Sequence, residues 1–136
     1  MKKVFSLLLI LLPLTLLTVS CHDEEEPVTA TSPYAKYKGP WSGTYAGSDL
    51  GTIEFSVNAN GSVSGDVESE GFKNAELTLK GKVDIHGNIT MTFIETTEND
   101  VVEEIGSFVG TMNQSNASGT WVNDKSNIKG SWVAMK

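Results

Sequence analysis

Short segments in which apolar and polar residues alternate recur along the chain, from residue 41 to residue 135. Turn-forming Gly, Asn, Asp or Ser residues close most of these segments at intervals of roughly 8–12 residues, a spacing typical of an all-β sandwich or barrel. No helical periodicity is found in this part of the sequence. The pattern predicts eight short strands, at 41–47, 51–58, 62–69, 75–84, 88–95, 101–112, 117–122 and 128–135.

Tight-turn sequences join several of these strands. The segments 58–61, 84–88 and 113–116 are rich in residues that tolerate the left-handed backbone conformation of hairpin turns. Short turns make sequence neighbours into spatial neighbours, so the strands should form a meander. Inner-face glycines such as Gly43 and Gly110 indicate the strong coiling that closes a narrow barrel. We predict an all-β fold, an eight-stranded antiparallel up-and-down β-barrel.

The inner face of this barrel is rich in large apolar side chains. An eight-stranded barrel is just wide enough to be filled by its own side chains. We therefore interpret the tryptophans as core residues rather than as a ligand-binding box. The predicted inner face consists of Trp41, Tyr45, Ile53, Phe55, Val57, Val63, Val67, Leu77, Leu79, Val83, Ile89, Met91, Phe93, Phe108, Met112, Trp121, Ile128 and Trp132.

The N-terminal residues have the features of a secretory signal. Two lysines precede an apolar run from Val4 to Leu17 that is shorter than the ~20 residues a membrane-spanning helix needs. Cys21 is the only cysteine, and the residues before it resemble a lipobox, which implies that Cys21 is lipidated. The acidic run at 23–26 resembles the export signal of Bacteroidota surface lipoproteins.

These features predict the domain organisation and the location of the protein. We expect a signal peptide at 1–20, a lipidated acidic tether at 21–38 and a single β-barrel domain at 39–136. The expected location is the outer membrane, where the lipid anchors the protein and the domain faces the cell exterior; the alternative is a lipoprotein that faces the periplasm.

Charge and residue inventory exclude several classes of function. Removal of residues 1–20 leaves 116 residues with 8 lysines, 17 acidic residues and no arginine, and thus a formal charge of −9. Nucleic-acid binding requires clustered basic side chains, so that class is excluded. The histidines, His22 and His86, belong to no catalytic or metal-ligand spacing. We expect a protein that is not an enzyme and that binds neither a cofactor nor a metal.

The meander also predicts which loops meet a partner. The termini and the tight turns share one end of the barrel, so the other loops face away from the membrane. Phe72 stands among charged residues in one of these loops, where it is either an exposed binding anchor or a plug of the barrel mouth. The candidate partner-binding residues are Glu70, Gly71, Phe72, Lys73, Thr97, Glu98, Asn99 and Asp100.

The glycine-punctuated alternation over residues 41–135 is similar in style to the calycin barrels, the lipocalin and avidin group. In layout the whole chain resembles the potempins, lipoproteins that inhibit secreted peptidases and so protect the producing cell. The resemblance implies inhibition of a secreted peptidase through the rim loops at 70–74 and 96–100. It rests on layout, so no individual functional residue carries over. The alternatives are a lipocalin-like carrier of a small ligand and a non-inhibitory surface adhesion protein.

Overall fold

All eight predicted strands form, with ends that lie within two residues of the predicted ones. The computed structural model describes residues 30–136, so the predicted signal peptide, Cys21 and the acidic run lie outside the described residues. Within 30–136 there is no helix long and apolar enough to cross a membrane. The strands are β1 (Gly39–Gly47), β2 (Gly51–Val57), β3 (Ser62–Ser69), β4 (Glu76–Val83), β5 (Asn88–Thr96), β6 (Val102–Met112), β7 (Asn116–Asn123) and β8 (Ile128–Met135).

The strands close into a barrel in sequence order, and β8 returns to pair with β1. All neighbouring strands are antiparallel. Thr44 in β1, for example, lies opposite Thr52 in β2 and opposite Val133 in β8. The predicted eight-stranded antiparallel up-and-down β-barrel is therefore confirmed.

The barrel has two distinct ends because successive connections alternate between them. The N-terminus of β1 and the C-terminus of β8 share one end, which we call the tether end, with the turns 58–61, 84–87 and 113–115. The opposite end, which we call the rim, is formed by the loops 48–50, 70–75, 97–101 and 124–127.

Large side chains fill the interior. Of the predicted inner-face residues, only Ile128 is not fully buried, and it packs half-buried against the core. Phe108 lies among four other aromatic rings, at centroid distances of 5.3–6.4 Å. Burial of each such side chain contributes about 1.5–3 kcal/mol to stability. The barrel is thus packed by its own residues.

Two inner-face glycines allow tryptophan side chains to reach a backbone carbonyl. Gly119 in β7 lies opposite Trp132 in β8, and an added Cβ at Gly119 would collide with the carbonyl oxygen of Val109 in β6. The Nε1–H of Trp132 donates to that carbonyl oxygen over 3.0 Å. In the same way, the Nε1–H of Trp121 donates over 3.1 Å to the carbonyl oxygen of Ala46, with which an added Cβ at Gly130 would collide. Each indole is therefore buried with its N–H paired, which avoids the cost of an unsatisfied donor.

A β-bulge in β6 changes which side chains face inward near the rim. The register of β5 with β6 shifts between Phe93 and Ile94, which leaves Ile105 as an extra residue in β6. The Ile105 side chain is buried, and the predicted inner face omits it because strict alternation would turn it outward. Beyond the bulge the alternation is reversed, so Val102 faces outward and Glu103 lies on the side of the barrel mouth.

The last residues of the predicted tether pack under the barrel. Residues 33–37 form a turn in which the Tyr37 N–H donates to the Tyr34 carbonyl oxygen over 2.8 Å. The Tyr37 side chain is buried in the core, and its carbonyl oxygen accepts a 2.8 Å bond from Trp41 Nε1. The packed unit therefore includes residues 33–38, which the sequence analysis assigns to the tether.

Candidate functional site at the rim

The four rim loops surround the barrel mouth in the order of the strands. Two polar clusters connect them. One cluster joins the loop 48–50 to the loop 70–75, and the other joins the loop 124–127 to the hairpin formed by β5 and β6. The rim is thus held by side-chain contacts as well as by the strands beneath it.

Asp49 is the centre of the first cluster. Its carboxylate accepts hydrogen bonds from the Tyr45 hydroxyl at 2.8 Å, from the Ser69 hydroxyl at 2.6 Å and from the Gly71 N–H at 3.1 Å. The Tyr45 side chain is buried, so Asp49 ties the loop 70–75 to the barrel interior. The Ser69 hydroxyl oxygen also accepts a 2.9 Å bond from the Phe72 N–H. These bonds fix the conformation of the loop before any partner binds.

The cluster perturbs both of its ionisable groups. Partial burial opposes ionisation of Asp49, but the hydrogen bonds from Ser69 and Tyr45 outweigh it and hold the pKa of the carboxyl below its ordinary value of 3.8. Burial, together with the Asp49 carboxylate, raises the pKa of the Tyr45 hydroxyl above its ordinary value of 10.0. At neutral pH the protonated hydroxyl therefore donates to an ionised carboxylate, a strong form of hydrogen bond.

The two predicted binding loops lie side by side. They share a groove of about 340 Å³. Of the candidate residues, the groove brings together Gly71, Phe72, Lys73, Thr97 and Glu98. The structure thus places most of the sequence-derived candidates around one concave surface, and their role in binding stays a prediction.

The remaining candidates and Phe72 differ in exposure. Glu70, Asn99 and Asp100 are exposed and do not line the groove. Phe72 is half-buried and packs against the core. Of the two interpretations of Phe72, this position supports the one in which its ring covers the barrel mouth.

The loop 97–101 is a tight hairpin turn. The Thr97 N–H donates to the Val101 carbonyl oxygen over 3.0 Å, and the Asp100 N–H donates to the Thr97 carbonyl oxygen over 2.9 Å. Asp100 adopts a φ of 59°, a left-handed conformation that Asp tolerates better than most residues. The turn therefore presents Glu98 and Asn99 at its tip in a defined conformation.

Lys125 forms the second cluster. Its Nζ lies 2.6 Å from a carboxylate oxygen of Glu95 in β5 and 2.8 Å from one of Glu103 in β6. Hydrogen bonds with Glu103 and Glu95 raise the pKa of Lys125 to about 12. Lys125 and Glu103 are exposed and Glu95 is half-buried. Because ion pairs at the protein surface contribute little stability, their main effect here is to connect the loop 124–127 to the β5–β6 hairpin.

Three exposed aliphatic residues at the rim were missed by the sequence analysis. Val101 is 57% exposed, Val102 is 68% exposed and Leu50 is 48% exposed. Val101 and Val102 stand between Asp100 and Glu103, and an apolar pair flanked by acidic residues at the start of a predicted strand is the signal that could have identified them. The β6 bulge explains the exposure of Val102, because strict alternation would have turned it inward.

A larger groove, of about 540 Å³, lies on the outer wall of the barrel. It is lined by parts of β1, β6, β7 and β8, among them Thr44, Ser118, Val133 and Met135. This groove is remote from the rim clusters and contains no charged side chain. In residues 30–136 no three His, Cys, Asp or Glu side chains are grouped so as to hold a metal ion.

No protein-family model, no curated protein and no solved structure matches this chain. Its function must therefore be inferred from the chemistry and geometry of the rim.

Proposed function

We propose that this protein is a surface-anchored lipoprotein that binds and inhibits a secreted peptidase through its rim loops, and so protects the producing cell. The observation that carries the proposal is the exposure of Val101 and Val102 on a hairpin fixed by backbone hydrogen bonds. Exposed apolar side chains that are flanked by charged residues mark sites of interaction with other proteins. A loop that is ordered before binding loses little conformational entropy when a partner engages it.

A protein partner suits this barrel better than a small ligand. Aromatic side chains around Phe108 occupy the interior, so a ligand would have to displace the core. The rim groove includes the charged residues Lys73, Glu95 and Glu98 in its lining, whereas small-molecule pockets are mainly apolar. The rim is therefore better suited to a macromolecular surface than to a lipocalin-like cargo.

The charge of the rim favours a particular kind of peptidase. Glu98, Asp100, Glu103 and Glu104 are exposed on or next to the β5–β6 hairpin. Complementary charge around the cleft of a partner accelerates association and selects against acidic surfaces. We expect the target to carry basic residues beside its substrate cleft.

The direction of the barrel fits the proposed anchorage. A lipid on Cys21 would connect to the domain at the tether end, where β1 begins at Gly39. The rim is at the opposite end, so it would meet a secreted protein before any other part of the domain does. This arrangement favours capture of a partner from the medium.

The test uses the soluble domain, residues 27–136. It is mixed at equal molar ratio with secreted peptidases of the producing bacterium from the serine, cysteine and metallopeptidase classes. Residual activity and complex formation on gel filtration are then measured. The rim variant is the double substitution Val101→Ser/Val102→Ser, and the matched control is Ile85→Ser, because Ile85 is 51% exposed at the tether end.

We expect the wild-type domain and the control to inhibit one peptidase stoichiometrically. The double variant should bind at least ~30-fold more weakly, the effect of losing about 2 kcal/mol of apolar burial in the interface. Full peptidase activity and no complex in all three classes would exclude the inhibitor hypothesis. A stable complex without inhibition would instead support the surface adhesion protein.

A further inference from the structure

Strand β6 extends past its neighbour β7 at the rim. The pairing of β6 with β7 runs from Met112 to Gly106, where Gly106 lies opposite Asn123. The pairing of β6 with β5 continues to Val102, which lies opposite Thr96. Residues 102–104 of β6 are therefore paired on the β5 side alone, and they form one edge of a hairpin that projects beyond the closed barrel.

The hydrogen bonds of the hairpin turn show which backbone groups this edge offers. The bond from the Thr97 N–H to the Val101 carbonyl makes 97 and 101 a hydrogen-bonded pair. In antiparallel strands such pairs alternate with non-hydrogen-bonded ones, so the N–H and C=O groups of Val102 and Glu104 point away from β5. Within residues 30–136, no backbone group bonds to them from the other side. Both residues are exposed.

We propose that this edge, residues 102–104, is where the target peptidase pairs an extended segment of its own backbone with β6. An unpaired strand edge is a template for such pairing, and each of Val102 and Glu104 can exchange two hydrogen bonds with an added antiparallel strand. The inference rests on the proposed function and specifies how the rim holds its partner.

The side chains around the edge are arranged for this kind of contact. Val102 faces outward beside the free edge, where it can pack against alternate side chains of an added strand. Lys125 bonds to Glu95 and Glu103 and so braces the projecting hairpin from the mouth side. The carbonyl oxygen of Ile105, the next residue along β6, already accepts a 2.7 Å bond from the Asp124 N–H, which limits the free edge to three residues. A partner strand would continue the sheet where β7 ends.

The decisive comparison is Glu104→Pro against Glu104→Ala in the domain of residues 27–136. Both substitutions remove the carboxylate, but only proline removes the N–H, and proline is tolerated at a strand edge whose N–H faces solvent. The readout is the inhibition constant against the peptidase that the wild-type domain inhibits. We expect Glu104→Pro to inhibit ~5- to 30-fold more weakly than Glu104→Ala, the loss that corresponds to one interfacial hydrogen bond.

A second measurement does not depend on folding of the proline variant. Hydrogen exchange of the Val102 and Glu104 amides is followed in the free wild-type domain and in its complex with the peptidase. We expect fast exchange in the free domain and at least ~10-fold slower exchange in the complex. The Val109 amide, on the outer wall, serves as the reference.

The outcomes separate this inference from the proposed function. If Glu104→Pro melts at the temperature of Glu104→Ala and inhibits equally well, or if both amides exchange equally fast in the complex, strand pairing is wrong while inhibition stands. If the wild-type domain inhibits no peptidase, both are wrong.

Discussion

Replacement of Asp49 by alanine should loosen the rim and destabilise the whole barrel. The substitution removes the acceptor of hydrogen bonds from Tyr45, Ser69 and Gly71. The Tyr45 hydroxyl then remains partly buried without this partner. Both the native loop conformation and the packing beneath it depend on the same carboxylate, so the effect should extend beyond the loop 48–50.

The expected loss of stability follows from these three bonds. Hydrogen bonds to a charged group contribute about 1.5–3 kcal/mol each when the group is well buried. Asp49 is only half-buried, and water can replace part of what is lost at Ser69 and Gly71. We therefore expect Asp49→Ala to lower the free energy of unfolding by about 2–3 kcal/mol at pH 7.

Urea unfolding of residues 27–136, followed by fluorescence of the buried tryptophans, measures this loss. At typical urea dependences the midpoint should fall by about 1–2 M. The matched control is Asp66→Ala, because Asp66 is an exposed carboxylate on the outer face of β3. It should stay within ~0.5 kcal/mol of the wild type.

The pH dependence provides a second test of the same reasoning. Because the folded-state pKa of Asp49 is lowered from 3.8, its contribution is present above pH 3.8 and is lost as the pH falls through the folded-state pKa. The stability difference between wild type and Asp49→Ala should therefore shrink in acid. A difference below ~0.5 kcal/mol at pH 7, or one that does not change in acid, would refute the assigned role of Asp49.

Three further predictions concern the core. Tyr37→Ala should lower the free energy of unfolding, measured in urea, by about 3–5 kcal/mol. Tyr34 is only half-buried, so Tyr34→Ala should lower it clearly less, and equal effects would contradict the packing of the turn 33–37. Gly119→Ala should lower the free energy of unfolding by about 3 kcal/mol, because the added Cβ would collide with backbone atoms of β6. Ser118 lies on the outer face, so Ser118→Ala should leave the free energy of unfolding unchanged. Because burial raises the pKa of Tyr45 above 10.0, wild-type stability should fall as the pH rises past that value. Tyr45→Phe should reduce this loss of stability at alkaline pH, because the variant has no hydroxyl to titrate. If the free energy of unfolding of Tyr45→Phe depends on pH as that of the wild type does, the raised pKa of Tyr45 is not the cause.

The strands were predictable because the barrel obeys a local rule. Inward side chains alternate with outward ones, and the turns carry residues suited to their backbone conformations, so both signals are readable a few residues at a time. The two ends of the barrel then follow from connectivity alone. This is why the neighbouring positions of the loops at 70–74 and 96–100 could be anticipated.

The parts that were missed depend on contacts distant in sequence or on breaks in the rule. Asp49 and Ser69 are 20 positions apart, and no local pattern connects them. The bulge at Ile105 places a large apolar residue in the core by interrupting the alternation. Gly106 stands beside it, but glycine recurs in most of the strands and so does not single out this position as a bulge. Tyr37 lies in a single turn, too short to show any period. The exposure of Val102 follows from the bulge and was missed with it.

The position of the turn 33–37 also determines how the domain bears mechanical load. A chain anchored through its N-terminus would transmit drag to β1 at Gly39, along the strand axis. β1 is bonded to β2 on one side and to β8 on the other, so a pull strains both sets of bonds together in shear rather than one bond after another. The turn 33–37 precedes β1 along the line of pull, and Tyr37 must leave the core before tension reaches the pairing of β1 with β2 and β8. Under flow, extraction of the Tyr34 and Tyr37 side chains would therefore absorb the first tension while the barrel and its rim remain intact.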